Sequence, residues 1–100
     1  MNREESKRCV GAGWGKLLDE FYDLLPADAK IISVKEKYGG LRIDGFGYSS
    51  ELGQALEEKS NLICEICGER GETRDLPWIL TLCDKHYKEK LNDKIQNSIT

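Results

Sequence analysis

The sequence predicts an α+β fold, in which an N-terminal helix, an antiparallel β-hairpin and a second helix precede a small finger unit and a C-terminal helix. Three observations predict it: apolar residues at helical spacing, an alternating segment divided by two glycines, and four regularly spaced Cys and His residues near the end of the chain. The length of 100 residues suits one domain with a modest core. We therefore expect a flexible N-terminus over 1–12 and a single compact domain over 13–100, with a helix–hairpin–helix part at 13–63 and the finger at 64–96.

The first helix begins near Trp14 and ends before Pro26. Its apolar residues recur at three- and four-residue steps, which is the spacing of one helical face. The segment before it, 1–8, is charged and has no apolar periodicity, so we expect it to be frayed. The apolar face of the helix comprises Trp14, Leu17, Leu18, Phe21, Leu24 and Leu25.

Two segments with strand character, 31–37 and 41–44, flank a Tyr-Gly-Gly sequence at 38–40. β-Branched residues and alternation favour strands, and paired glycines supply the positive φ angles that tight hairpin turns require. We therefore expect an antiparallel hairpin that turns at the glycines, followed by a loop over 45–48.

A second helix is predicted after a pair of serines. Ser49 or Ser50 can cap it, and Glu51 suits its first turn because the helix dipole favours negative charge there. Helical spacing predicts a buried face made of Leu52, Ala55, Leu56, Leu62 and Ile63.

The last third of the chain predicts two short strands and a helix. The strands are expected at 73–74 and 78–82, with Pro77 between them, and the helix begins near Cys83. The apolar side of this final helix consists of Tyr87, Leu91 and Ile95.

Cys64, Cys67, Cys83 and His86 form the pattern C-x2-C-x15-C-x2-H. Three thiolates and one imidazole fill the four tetrahedral positions of zinc and leave none for a substrate water, which is typical of a structural site. A knuckle with a turn-permitting Gly68, a short hairpin and a ligand pair at a helix start follow one another in the order of a treble-clef finger. The alternatives are a redox C-x-x-C pair, disulfides and an iron–sulfur cluster.

Composition and charge exclude several classes of function. The formal net charge of −3 does not favour non-specific binding to phosphates. His86 is the only histidine, so once it binds a metal no imidazole remains for acid–base catalysis, and we do not expect an enzyme. The start of the chain lacks the apolar stretch of a secretory signal, and no apolar stretch is long enough to span a membrane. We therefore expect a cytoplasmic protein, in which the thiols stay reduced.

The segment 35–42 combines three basic side chains with a tyrosine and two glycines. Alternation along the strands places the basic side chains on one face of the hairpin, where they could hold phosphates or an acidic partner. The alternative is a solvated strand face beside an ordinary turn. The predicted ligand- or partner-binding residues are Lys35, Lys37, Tyr38, Gly39, Gly40 and Arg42.

Three other residue types invite a functional interpretation, but a structural one is expected for each. Cys9 is expected to be a buried, unreactive thiol, with a redox or inter-chain role as the alternative. Trp14 and Trp78 are expected to be core or finger-packing residues rather than stacking surfaces. Lysines alternate with acidic residues on the final helix, as on most solvent-exposed helices: Lys85, Lys88, Lys90 and Lys94.

Several motifs together resemble a family of small, mostly uncharacterised zinc-binding proteins of bacteria, phages and prophages. They are Gly13-Trp14, V-K-E-K-Y-G-G-L-R at 34–42, the knuckle C-E-I-C-G at 64–68, and T-L-C-x2-H at 81–86. The resemblance implies a phage or mobile-element origin and a fixed zinc unit, and it implies no particular activity.

From these observations we expect a non-enzymatic, zinc-stabilised binding protein. Given the resemblance, its partner is expected to be a host macromolecule, foremost a host protein, on which it acts as an inhibitor or adaptor in host takeover or defence evasion. One alternative is binding or sequestration of a nucleotide-like ligand by the basic hairpin. Another is nucleic-acid binding through the finger helix, with Lys85 and Lys88 as contacts. The sequence predicts neither the identity of the partner nor the oligomeric state.

Overall fold

The computed structural model describes the backbone of residues 1–76 and 78–99, and side chains up to residue 93. Within this part the architecture is α+β, as the sequence predicts, and no helix is both long and apolar enough to cross a membrane. Pro77 and the side chains of Lys94 and Ile95, which the sequence analysis places in the finger and final helix, lie outside the described part of the chain. The elements are α1 (Arg3–Arg8), a 3₁₀ helix (Ala12–Trp14), α2 (Gly15–Asp23), β1 (Lys30–Lys37), β2 (Gly40–Phe46), α3 (Ser50–Ser60), β3 (Glu72–Asp75), β4 (Ile79–Leu82) and α4 (Asp84–Ile99).

Helix α1 lies where the sequence predicts a frayed segment, so that expectation is wrong for residues 3–8. The Asn2 side chain caps the helix by accepting the Glu5 backbone N–H at 2.9 Å. Ser6 is buried, and its hydroxyl is hydrogen-bonded to the Tyr22 hydroxyl in α2. Because this buried contact joins positions 16 residues apart, no local periodicity in α1 could reveal it.

The hydrophobic core lies between α2, the β1–β2 hairpin and α3. Trp14 is fully buried, as predicted, and its indole N–H donates to the carbonyls of Ser60 at 3.2 Å and Ile63 at 2.9 Å. Leu24 was predicted on the buried face but is exposed, because α2 ends at Asp23. The core consists of Trp14, Leu17, Leu18, Phe21, Ile31, Val34, Leu41 and Leu56.

The hairpin turn differs from its prediction by one residue. Tyr38 and Gly39 have the positive φ angles, 53° and 79°, whereas Gly40 begins β2. Two successive positive φ angles are those of a type I′ turn, which matches the twist of the strands it joins. The turn is therefore made by a tyrosine and a glycine rather than by the two glycines.

Strands β1 and β2 pair antiparallel, with Lys35 directly opposite Arg42. The register shifts between Ile31 and Ser33, and this irregularity interrupts the alternation that the sequence predicts for β1. Residues 45–46, which were predicted to start a loop, still belong to β2.

Helix α3 is capped by Ser49, whose hydroxyl accepts the Leu52 N–H at 3.2 Å. The helix ends at Ser60, so Leu62 does not continue its buried face and is exposed, contrary to the prediction. Ala55, also predicted to be buried, is exposed on the helix surface.

Side chains in the last turns of α3 accept hydrogen bonds from the outer edge of β2. The Ser60 hydroxyl accepts the Leu41 N–H at 2.8 Å, and the Glu57 carboxylate accepts the Ile43 N–H at 3.1 Å. An edge strand presents unpaired backbone groups that can template aggregation. Here α3 satisfies two of those groups, the N–H groups of Leu41 and Ile43, and these bonds fix its position on the hairpin.

The finger, residues 64–93, docks against the first part of the chain through polar contacts. The Thr81 hydroxyl donates to the Gly39 carbonyl in the hairpin turn, and the Gly13 N–H donates to the Glu65 carbonyl at 2.8 Å. A Cβ on Gly13 would overlap the Cys64 carbonyl oxygen, so only glycine permits this close approach. The glycine of the Gly13-Trp14 pair therefore has a packing role at the base of the finger.

Candidate metal centre

The first two cysteines lie on a tight knuckle between α3 and β3. The Cys64 N–H donates to the Glu69 carbonyl at 2.7 Å, and the Gly68 N–H donates to the Cys64 carbonyl at 2.9 Å. Gly68 has a φ of 83°, as the sequence predicts for the residue that closes the knuckle. These hydrogen bonds turn Cys64 and Cys67 towards the same point.

The second pair lies at the start of α4. Cys83 immediately precedes the helix, and its carbonyl accepts the Tyr87 N–H at 2.9 Å. His86 lies three residues further on, so both side chains leave the same side of the helix. Knuckle, β3–β4 hairpin and helix thus follow in treble-clef order.

The donor atoms of Cys64, Cys67, Cys83 and His86 all lie within 4.8 Å of one another. The sulfurs of Cys67 and Cys83 are 3.7 Å apart, and the His86 Nδ1 lies 3.6 Å from the Cys64 sulfur and 3.2 Å from the Cys83 sulfur. A tetrahedral zinc ion with Zn–S bonds of about 2.3 Å holds its sulfurs about 3.8 Å apart. A disulfide bond is only about 2.05 Å long. The arrangement therefore fits one metal ion, and its donor set is consistent with zinc.

The environment of Cys64 favours a thiolate. Burial by itself raises the pKa of the Cys64 thiol, but the backbone N–H groups of Cys83, Cys67 and Ile66 lower it to about 6. A thiolate is the form that binds metal ions. Backbone N–H groups of the knuckle and of Cys83, which precedes α4, thus favour the metal-binding form of this ligand.

Cys67 shows the opposite effect. The Glu69 backbone N–H lowers the pKa of its thiol, but desolvation and the adjacent sulfurs of Cys64 and Cys83 raise it overall. Several sulfurs crowded together resist carrying negative charge at once. A bound cation offsets that repulsion, which is a second respect in which the cluster fits a metal.

The imidazole of His86 is oriented with Nδ1 towards the sulfurs. Its Nε2 lies 3.9 Å from a carboxylate oxygen of Glu89, one turn further along α4. Metal-binding histidines commonly have an acceptor near the second ring nitrogen, which favours the tautomer that leaves the first nitrogen free to coordinate.

Arg74 joins the hairpin of the finger to its helix, a role that sequence reasoning missed. Its guanidinium donates to Asp84 at 2.8 Å and to the Leu82 carbonyl at 3.2 Å, and it lies 4.4 Å from the centre of the Tyr87 ring. These contacts hold the start of α4 in place, and with it Cys83 and His86. No sequence pattern indicates this role, because a lone arginine in a short strand resembles any solvated residue.

Glu65, between the first two cysteines, is a second residue that the sequence analysis did not single out. It is buried, and one carboxylate oxygen accepts the Thr81 N–H at 3.3 Å. Burial and the neighbouring Glu36 carboxylate raise its pKa to about 8, although the Thr81 N–H acts in the opposite direction. Glu65 thus connects the knuckle, β4 and the end of β1.

The fold and the site together define an α+β protein with a Cys₃His cluster of treble-clef layout that could hold a metal ion. Comparison with protein-family models, with curated proteins and with solved structures finds no match to this chain. The resemblance to zinc proteins of phages and prophages therefore stays a prediction.

The structure separates the predicted hairpin residues into two groups. Lys35 and Lys37 are exposed, and Arg42, opposite Lys35, lies 3.9 Å from Glu57 in α3. Gly39 and Gly40, which are among the predicted ligand- or partner-binding residues, are buried. A Cβ on Gly39 would meet Thr81 and Leu80, and one on Gly40 would meet Asn61, so protein atoms already occupy that space.

Two other expectations are wrong. Trp78 was expected to pack in the core or finger, but 72% of it is exposed. Cys9 was expected to be buried but is exposed. The lysines at 85, 88 and 90 are exposed among acidic neighbours, as predicted for a solvated helix.

Proposed function

We propose that this protein is a non-enzymatic binding protein, in which a structural zinc ion fixes the finger on the helix–hairpin part and so shapes a surface for a macromolecular partner. The observation that supports this most is the convergence of four protein donors within 4.8 Å of one another. Four protein ligands complete the coordination of zinc and leave no position for a reacting water.

The zinc would be held by Cys64, Cys67, Cys83 and His86. Bound there it supplies structural cross-linking of the knuckle to α4, since a closed tetrahedral site offers no catalysis. This chain's own groups prepare the site: backbone amides favour a thiolate at Cys64, and Arg74 holds the start of α4. A reducing cytoplasm is the proposed location, because three thiolate ligands have to stay reduced.

Elemental analysis of the purified protein tests the metal assignment. We expect one zinc per chain in the wild type and in a Cys9→Ser variant, and loss of zinc in Cys83→Ser. The Cys9→Ser variant controls for removal of a thiol as such, because Cys9 is exposed and lies outside the cluster. Protein without stoichiometric metal, in which the cluster sulfurs are oxidised to one another, would contradict the proposal.

The proposed partner is a host macromolecule, foremost a host protein, and the resemblance to phage and prophage proteins supports this. The protein would then act as an inhibitor or adaptor in host takeover or defence evasion. Affinity capture from a bacterial host, with mass spectrometry of the captured proteins, tests it. We expect one dominant partner that is lost when a chelator removes the zinc. An identical set of captured proteins with and without metal would count against a zinc-shaped surface.

A second candidate is binding of a phosphate-bearing ligand by the basic face of the hairpin. The direct pairing of Lys35 with Arg42 favours it, because it puts two cations side by side on an exposed face. The ion pair of Arg42 with Glu57 acts against it, since Glu57 already offsets part of this charge. Thermal shift with a panel of nucleotides tests it, with Lys35→Glu/Arg42→Glu as the variant and Lys85→Glu/Lys88→Glu as a charge-matched control. If no nucleotide raises the Tm of the wild type, this candidate fails.

A further inference from the structure

An open groove lies where the end of the β1–β2 hairpin meets the loop of the finger hairpin. It has a volume of about 670 Å³, which is in the range of sites that accept a short peptide or a small molecule. Its lining combines apolar and aromatic side chains with two carboxylates: Glu36, Tyr38, Asp75, Leu76, Trp78, Ile79 and Leu80.

Two large aromatic side chains at this groove are left in solvent. Trp78 is 72% exposed and Tyr38 is 67% exposed. Exposed tryptophan and tyrosine are uncommon on a soluble surface and are enriched at binding surfaces. Neither ring belongs to the hydrophobic core, so each can still bury its apolar surface against a partner.

Tyr38 occupies its position against a backbone preference. Its φ of 53° lies in the left-handed region, where glycine or asparagine is the usual residue of a hairpin turn. A tyrosine there destabilises the turn relative to asparagine. The backbone conformation therefore does not explain why this residue is a tyrosine, and we attribute its presence to the aromatic ring.

The groove is complementary to positive charge. Glu36 and Asp75 are the carboxylate side chains of its lining, and the described lining residues include no Lys, Arg or His. Aromatic faces attract cations, and the ammonium group of Lys37 already lies 5.6 Å from the centre of the Tyr38 ring. An incoming cation would therefore either displace the Lys37 ammonium group from the Tyr38 ring or bind beside it.

The groove also adjoins a strand edge that has no strand beside it in the described part of the chain. The first sheet contains β1 and β2 alone, and the backbone N–H groups of Leu41 and Ile43 point away from β1, towards α3. In an antiparallel pair the residues opposite them, Glu36 and Val34, then direct their own backbone groups away from β2. At Val34 and Glu36 this edge of β1 can thus hydrogen-bond to an extended chain. Nearer the start of the strand, the Ile31 carbonyl already accepts from the Met1 amino group at 3.0 Å.

We propose that this groove binds an extended segment of a partner protein that carries Lys or Arg side chains. The segment lies along the edge of β1 at Val34 and Glu36, and a cationic side chain lies against Tyr38 and Trp78 beside Glu36 and Asp75. This proposal rests on the proposed function as a binding protein and adds the place and the chemistry of recognition.

A synthetic peptide tests the groove without knowledge of the natural partner. The probe is a capped eight-residue peptide of alternating Arg and Thr, and its counterpart carries Glu in place of Arg. Binding is followed by calorimetry and by tryptophan fluorescence, in which Trp78 is the responsive residue because Trp14 is fully buried. We expect the Arg peptide to bind and the Glu peptide not to bind.

Matched variants locate the binding. We expect Trp78→Ala to weaken the Arg peptide about tenfold and Asp75→Asn to weaken it about threefold. Phe46→Ala removes another exposed aromatic and Asp28→Asn another exposed carboxylate, and both should stay within about twofold of the wild type. Unaltered zinc content and far-UV circular dichroism establish that each variant is folded.

Several outcomes would overturn the proposal: no binding of the Arg peptide up to about 1 mM, equal binding of the Glu peptide, or equal loss in the control variants. Self-association that Trp78→Ala abolishes would assign the groove to a second copy of this chain instead. If the wild type and Trp78→Ala capture the same host partner equally, the groove is the wrong surface while the proposed function stands. If the protein holds no zinc and captures no partner, yet the Arg peptide binds as expected, the proposed function fails and the groove stands.

Discussion

The two parts of this chain are held together by different forces. The helix–hairpin part encloses a core of eight buried apolar side chains that includes Trp14, whereas the buried apolar residues of the finger are Cys64 and Leu82 among those described. Two of the other buried finger residues, Glu65 and Thr81, are polar. A unit with so little apolar burial cannot offset the entropy of ordering its chain. Burial therefore stabilises the first part, and we expect metal coordination to stabilise the second.

The boundary between the parts is made of hydrogen bonds rather than apolar packing. Thr81 donates to Gly39, Gly13 donates to Glu65, and the Gly71 N–H donates to the Leu62 carbonyl. Such bonds depend on direction, so they fix the orientation of the finger more than they add to its stability. The parts can therefore differ in stability while keeping one geometry, and four predictions test this difference.

The largest expected effect is that of metal removal. Structural zinc in small finger peptides contributes on the order of 10–16 kcal/mol, which exceeds the stability of a typical domain of about 5–15 kcal/mol. On chelation or in Cys64→Ser, we expect fast amide hydrogen exchange over 64–93, while the amides of the core helices stay protected. Mass spectrometry of exchange measures both parts at once. Equal loss of protection in the two parts would show that they do not differ in this way.

The next effect concerns the two tryptophans, which occupy opposite environments. Trp14→Ala should destabilise the protein by about 3–5 kcal/mol, because it leaves a cavity and unpaired carbonyls at Ser60 and Ile63. Trp78→Ala should change the free energy of unfolding by less than about 0.5 kcal/mol, since its side chain is exposed. Urea unfolding of both variants with metal present gives the difference. Similar losses in the two variants would contradict the placement of the core.

The third effect is a pH dependence at Glu65. Its folded-state pKa of about 8 is above the ordinary 4.5, so the folded protein binds this proton more tightly than the unfolded chain. Stability from this group is therefore present at low pH and is lost as the pH rises from about 4.5 through about 8. We expect Glu65→Gln to flatten the fall in stability between about pH 6 and about pH 8, where the metal ligands still bind.

The exposed Glu69 offers a control for the effect of removing a carboxylate from the knuckle, as Glu69→Gln. Its unfolding midpoint should depend on pH as that of the wild type does. Parallel pH profiles for Glu65→Gln and the wild type would exclude Glu65 as the titrating group.

The smallest effect is a gain in stability at the hairpin turn. Tyr38→Asn places a residue that tolerates positive φ at this position, and we expect stabilisation of up to about 1 kcal/mol. Gly39→Ala should act in the opposite direction, because its φ is 79° and a Cβ would press on Thr81. Thermal unfolding measures both. A loss of stability in Tyr38→Asn would mean that the tyrosine ring supports the fold rather than a binding surface.

Local sequence patterns predicted the elements whose stabilising contacts join residues close together in the chain. The spacing of Cys64 and Cys67, with Gly68 after them, predicts the knuckle because its hydrogen bonds close within six residues. The same holds for the Ser49 cap and for the β1–β2 hairpin. Patterns failed where an element depends on a distant partner. Helix α1 was missed because its buried Ser6 meets Tyr22, and the turn was shifted by one residue because Gly40 is needed for packing against Asn61.

By itself, the sequence determined the α+β class, the hairpin and the four candidate metal ligands, because covalent spacing and residue chemistry limit each of these to a few conformations. Tertiary structure alone decided that the glycines of the turn are covered by the finger, that Trp78 and Cys9 are exposed, and that Arg74 and Glu65 connect separate elements. These outcomes depend on contacts between residues far apart in the chain. Local periodicity in the sequence does not indicate such contacts, since they form only when the two parts pack together.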